Sequence, residues 1–155
     1  MRFISARKEK HSVIYTADDG TTIKYSGGDP AWRTNNPGNL WSGKVSKRNN
    51  QIGKFGNFAI FPDYPTGHAA LLDSLRTTHW NKSLKDMIGD YAPEHENKTS
   101  RYLRFLRKAT GVKDDRKLKD LSTDQVDAVV ATSRSGNLFL RTRPGVEIVN
   151  LEDLG

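Results

Sequence analysis

The chain has 155 residues, 35% hydrophobic and 9% aromatic, a composition that suits one folded domain with one modest core. A formal net charge of +7 and a pI near 9.7 point to an anionic partner, whether nucleic acid, a membrane surface or the bacterial cell wall. The absence of cysteine excludes disulfide staples, thiolate nucleophiles and zinc–thiolate sites, and with them the cysteine peptidases. No apolar run approaches the roughly 18 residues of a membrane span, so no membrane insertion is expected. The N-terminal MRFISARKEK lacks the apolar core of a secretory signal. The expectation is synthesis in the cytoplasm without a signal peptide. A target in the periplasm or cell wall would then be reached by lysis, a virion or a secretion machine.

From His11 to Ser26 the alternation of SVIYT and TTIKYS around Asp19-Gly20 predicts a β-hairpin, with Val13, Tyr15, Ile23 and Tyr25 covering one side of the domain. Gly27-Gly28-Asp29-Pro30 breaks the strand and leads into WRTNNPGNLW, Trp32 to Trp41. Here Pro37 fixes its own φ and restricts Asn36, Gly38 permits a left-handed turn, and asparagines bond nearby backbone. A tight, self-capped loop is one reading. The other is a sugar-binding segment, with ring faces on Trp32 and Trp41 and hydroxyls or acetamides on Asn35, Asn36 and Asn39.

Ser42 to Asn57 is basic, glycine-punctuated and poor in core residues, and reads as a surface loop. NFAIFPDYP follows, with Phe58, Ile60 and Phe61 as a short buried strand stopped by Pro62 and Pro65. Asp63 and Pro65 then open a helix through HAALLDSLR with Ala69, Leu72 and Leu75 or Arg76 at helical spacing. Ser83 and Asp86 resemble a capping box for a helix whose Leu84, Met87, Ile88 and Tyr91 share a face. SRYLRFLRKAT is a further helix ended by Gly111, with Arg101, Arg104, Arg107 and Lys108 away from its apolar stripe. Ser122 and Gln125 form a second capping box before Val126, Val129 and Val130. LFLRTRPGVEIVN reads as two short strands around a Pro144-Gly145 turn. The sum is an α+β domain: a hairpin extension over 1–28, a mainly helical core over 29–136 and a C-terminal hairpin and tail over 137–155.

Acid–base chemistry is best sought in Tyr91 to Tyr102, YAPEHENKTSRY, which holds Glu94, His95, Glu96 and Asn97 between two helices. Glu96 serves either as a cap on the following helix or as a general acid, kept protonated beside Tyr91, Ala92 and Pro93. Glycoside hydrolysis often uses a second carboxylate, for which Asp29 and Asp63 are the candidates. His68, His79 and His95 fit no metal-ligand spacing, and neither a metal nor another cofactor is expected. GxSxG and GxxxxGK[ST] are both missing, so serine hydrolase and NTPase readings lack support. The sequence His79-Trp80-Asn81-Lys82 faintly suggests a small basic nuclease.

The order WRTNNPGNL, GNFAIFPDYPTGHAALLDSL and LKDMIGDYAPEHENKTSRYLRFLRKATGV resembles the NNNPGNI…FAVFPS…YAPxxEN…Y pattern of a phage-associated and secreted-effector family. Its members occur as virion proteins and as C-terminal domains of bacterial polymorphic toxins. The resemblance covers Trp32 to Val112. The motif order is also similar to that of lysozyme-superfamily glucosaminidases, in which an NN-x-FGI segment lines the glycan cleft. That implies a small lysozyme-like domain and a peptidoglycan hydrolase. Asn35, Asn36, Gly38, Asn39 and Leu40 would match the glycan-binding segment, and Tyr91, Ala92, Glu96, Asn97 and Tyr102 a second wall. In those enzymes the catalytic glutamate precedes the NN segment on a helix. Here that region reads as a hairpin and holds only Glu9, so that Glu96 takes over, or the chain binds without cutting, or the chemistry differs.

Three functions follow: a wall-degrading phage lysin or antibacterial effector, a non-catalytic wall-binding or virion structural module, and a basic nuclease toxin. An effector would come with a cognate acidic immunity protein. The nuclease would show basic side chains around His79 or His95 and steeply salt-dependent binding to nucleic acid.

Overall fold

Asp19-Gly20 turns the chain as its sequence demands. Gly20 takes φ +88°, and the Asp19 carboxylate accepts a hydrogen bond from the Thr21 amide at 2.9 Å, which lowers its pKa. The computed structural model describes residues 1–78, 80–83, 85–87, 104, 107–108, 111, 116–122, 124–126 and 143–149. It divides into two compact units, Met1–Leu71 with Leu140–Gly155, and Leu72–Phe139.

In the first unit the predicted hairpin is present as β2 (Ser12–Ala17) and β3 (Thr22–Ser26), antiparallel, with Val13 opposite Tyr25 and Tyr15 opposite Ile23. Two further strands complete the sheet: β1 (Phe3–Glu9) beside β2, and β6 (Val146–Val149) beside β3, in the order β1-β2-β3-β6. Val13, Tyr15 and Ile60 are fully buried under this sheet, with Phe3, Ala6, Tyr25, Ile52 and Phe55 packed around them. The unit's core is thus built largely from strand residues, which corrects the expected mainly helical core. Mixed α and β structure stands.

The C-terminal segment joins the sheet rather than forming a described hairpin of its own, and residues 137–142 lie outside the described residues. The Pro144-Gly145 turn works through close approach. A Cβ on Gly145 would lie 2.1 Å from the Ser26 carbonyl oxygen, and one on Gly28 would lie 2.4 Å from the Gly145 nitrogen. Beside this crossing, Asp29 and Arg143 exchange backbone and side-chain bonds. The Asp29 amide donates to the Arg143 carbonyl at 2.9 Å, and the Arg143 amide donates to the Asp29 carboxylate at 2.9 Å. Asp29→Ala is therefore expected to release β6: its amides should exchange faster with solvent while those of the β2–β3 ladder stay protected, at a cost of about 1 kcal/mol. Unchanged exchange at Val146–Val149 would refute that role.

Between sheet and helix runs the asparagine loop. α1 (Pro30–Arg33) begins with proline at its first position, as φ restriction favours, and ends where Thr34 donates its hydroxyl to the Pro30 carbonyl at 2.8 Å. The stretch read as a surface loop carries α2 (Lys44–Arg48) and β4 (Gly53–Phe55), the latter paired with β5 (Phe58–Ile60), which falls within the expected strand.

α3 (Tyr64–Thr78) starts where Asp63 and Pro65 predicted, the Asp63 carboxylate accepting from the Thr66 amide at 2.8 Å. Its buried stripe is Gly67, Ala70, Leu71, Ser74 and Leu75, rotated from the expected Ala69 and Leu72. Gly67 holds its position because the loop backbone lies against it: a Cβ there would fall 1.9 Å from the Asn35 carbonyl oxygen.

In the second unit Met87, Leu118, Leu121 and Val126 are buried. Ser122 and Gln125 form the reciprocal capping box their spacing predicts, amide to side chain in both directions at 2.9 and 3.1 Å. Ser83 accepts from the Asp86 amide at 3.2 Å, and Gly111 closes its helical turn with φ +73°.

Candidate functional site

The asparagines of the loop divide by role. Asn36 is fully buried, and its amide nitrogen donates to the Leu40 and Ala59 carbonyls, both at 3.0 Å, while its oxygen accepts from the Leu40 amide at 2.9 Å. It stitches the loop to β5 and is unavailable to a ligand, a correction to its expected glycan contact. Asn35 donates to the Phe61 carbonyl at 3.1 Å and to the Tyr15 hydroxyl at 3.4 Å. Its oxygen accepts no hydrogen bond among the described residues. Left-handed backbone occurs at Asn35 (φ +52°) and Asn39 (φ +51°) rather than at Gly38. Gly38 is needed for another reason, since a Cβ there would meet a Leu71 methyl at 2.6 Å.

Burial of Tyr15 and Tyr25 gives the loop an aromatic floor. Phe3 stacks on Tyr15 at 4.6 Å, Tyr15 meets Tyr25 at 4.7 Å, and Tyr25 stacks on Trp32 at 4.6 Å. Tyr15 donates its hydroxyl to the Arg33 carbonyl, and burial pushes its phenol far up. Burial, reinforced by the nearby Glu147 charge, pushes Tyr25 up to about 12, so its hydroxyl stays protonated at neutral pH.

Where this aromatic row reaches the surface there is a cleft of about 350 Å3, lined by Arg2, Phe3, Tyr25, Asn35, Asp63 and Tyr64 among others. A second hollow of about 380 Å3 shares Arg2, Phe3, Pro62 and Asp63. Asp63 is therefore common to both. One of its oxygens caps α3, and the other has no partner among the described residues.

The structure thus brings two expected site residues, Asn35 and Asp63, to one cleft, with Trp32 behind its Tyr25 wall. Asp29 is not among that cleft's lining and is engaged with Arg143, including an ion pair at 3.8 Å. The two indoles that frame the loop do not grip a common space. Trp32 stacks on Tyr25, whereas Trp41 bridges to Phe58 and is 67% exposed. Asn39 is half-buried and lines neither hollow. Glu96, Tyr91, Asn97 and Tyr102 lie outside the described residues, as do His79 and His95. Arg2, Phe3 and Tyr64 escaped the sequence reading because β1 lacks clean alternation and Tyr64 sits in the helix start. No group of three metal-ligating side chains occurs among the described residues, and no described helix is long and apolar enough to cross a membrane.

Chemically, a cleft lined by three aromatic residues, an asparagine, an arginine and an aspartate suits a polar ring-shaped ligand, with apolar faces against aromatic side chains and hydroxyl and amide groups against polar ones. Compared with models of known protein families, with curated proteins and with solved structures, the chain matches none of them.

Proposed function

We propose that this chain is a peptidoglycan-targeting glycan-strand hydrolase, acting as a phage lysin or as a delivered antibacterial effector. The cleft at Asp63 carries the reading, because it places a carboxylate among Phe3, Tyr25, Tyr64 and Asn35, the mixture a sugar ring needs. A net charge of +7 draws the chain to the anionic wall. Between the two carboxylates offered by the sequence, the geometry favours Asp63, since Asp29 is engaged at the β6 crossing. Glu96 is the proposed general acid, on its sequence setting alone.

Purified sacculi digested with the wild-type chain should release soluble fragments with new reducing ends or anhydro-sugars, identified by mass spectrometry. Glu96→Gln should reduce release by roughly 100-fold or more, the usual scale for loss of a general acid. Intact sacculi in every digestion would overturn the hydrolase. A wall-binding module without catalysis is the second reading, favoured by the capping bond that ties Asp63 to α3. It would appear as sedimentation with sacculi that stay intact. As an effector, the protein would have an acidic immunity partner in its producer.

A further inference from the structure

We propose that Trp41 and the basic segment following it form a second binding surface, separate from the Asp63 cleft, for the carboxylate-bearing peptidoglycan strand. An indole costs free energy when left in water, yet Trp41 is 67% exposed and lines neither hollow. Its backbone is held firmly. Trp41 bridges to Phe58, its carbonyl accepts from the buried Ser46 hydroxyl at 2.7 Å, and the next amide, Ser42, donates to the Asn57 carbonyl at 2.8 Å. The ring is therefore presented from a fixed frame rather than from a loose tip.

Ser46 lies on α2, between Lys44 and Lys47, and both lysines are exposed, as is Lys54 on β4. From Trp41 to Phe58 the chain contains Lys44, Lys47, Arg48 and Lys54 and no acidic residue. None of the three lysines has an acidic partner among the described residues. The surface therefore offers one flat apolar ring and several mobile point charges. Lysine ammonium groups are point charges that pair with scattered carboxylates without needing a fixed fork geometry. Trp41 is also the one exposed aromatic in this segment. Single-stranded nucleic acid is held on successive stacking residues, so a lone ring favours a sugar face with stem-peptide carboxylates around it.

This surface rests on the peptidoglycan reading but has its own test. The 155-residue chain is sedimented with purified sacculi over a salt series, using wild type, Trp41→Ala and a combined Lys44→Glu, Lys47→Glu, Lys54→Glu variant, with melting curves confirming folding. The expected result is about tenfold weaker binding for Trp41→Ala, and a larger loss with a flattened salt dependence for the charge reversal. Amidation of the sacculus carboxylates should reproduce the charge-reversal loss with wild-type protein. Wild-type affinity in both variants, with sacculi still digested, would overturn this surface and leave the hydrolase intact. Tighter wild-type binding to single-stranded DNA or to anionic phospholipid vesicles than to sacculi would overturn it in favour of those partners. Failure of every form to bind sacculi would overturn both.

Discussion

Gly67→Ala is expected to destabilise the protein by about 3 kcal/mol and to lower its melting temperature by roughly 6–12 °C. In an exposed helix the same change would help, by up to about 1 kcal/mol, because alanine loses less backbone freedom. Here the helix has no room. The new methyl would sit 1.9 Å from the Asn35 carbonyl oxygen and 3.0 Å from the Pro37 ring, both in the loop that carries a cleft residue. Neither is the far end of a flexible side chain, so α3 must move away from the loop. Because Asn35 lines the cleft, the displacement should also change the cleft and weaken the sugar binding proposed for it. Thermal unfolding measured by circular dichroism checks the first part, and an unchanged or raised melting temperature would sink it.

Legibility in the sequence followed the strength of the local signal. The β2–β3 hairpin combines alternating apolar residues with Asp-Gly, and both the turn and its register appear in the fold. Ser122 and Gln125 read correctly because a capping box is a reciprocal bond between residues three apart. β1 was illegible. Its FISARKE has three charged residues in its second half, and its place is fixed by distant partners, such as the Ala6 amide donating to the Ile52 carbonyl at 3.1 Å. β4 and α2 are three and five residues long, too short for periodicity to register. In α3 the apolar count favours Ala69 and Leu72, but the close approach of the Asn35 backbone requires glycine at position 67, which a hydrophobicity pattern scores as neutral.

For the site, the segment from Trp32 to Trp41 has two readings in the sequence, a self-capped loop and a sugar-binding segment, and the structure bears on the first through Asn36. Trp41 is exposed and Asn35 reaches the cleft, whereas Asn36 serves the loop itself. Residue type could not separate them, because an asparagine that satisfies backbone and one that meets a ligand use the same amide. Both amides bond a carbonyl on a later part of the chain, Phe61 for Asn35 and Ala59 for Asn36, and what separates them is that Asn35 also lines the cleft while the side chain of Asn36 is spent on three bonds. Asp63 carried two signals at once, helix cap and candidate carboxylate. A carboxylate has two oxygens, so a residue that caps a helix with one can still line a cleft.

Asn36→Ala carries the largest expected cost of all, about 4 kcal/mol, since it removes three hydrogen bonds at a fully buried position and strands the Leu40 amide and the Ala59 carbonyl at about 1–3 kcal/mol each, while the Leu40 carbonyl keeps its bond from the Ala59 amide. Asn36→Asp separates hydrogen bonding from mere shape. It keeps the oxygen that accepts from Leu40, but turns a second oxygen towards the Leu40 and Ala59 carbonyl oxygens, to which an ionised carboxylate cannot donate. Ionised, that carboxylate is repelled; protonated, it supplies one donor. Its folded pKa must therefore lie above the unfolded value of about 3.9. The sign follows: the variant is closest to wild type below about pH 4, and loses stability as the pH rises from there to its raised folded pKa. Urea unfolding of wild type and both variants between pH 3 and 7 tests this as a difference from wild type. Asn36→Ala should show a deficit that is nearly independent of pH, while the Asn36→Asp deficit should grow with pH. Parallel curves for the two variants would mean that Asn36 holds the loop by volume, and that its three hydrogen bonds do not stitch it to β5.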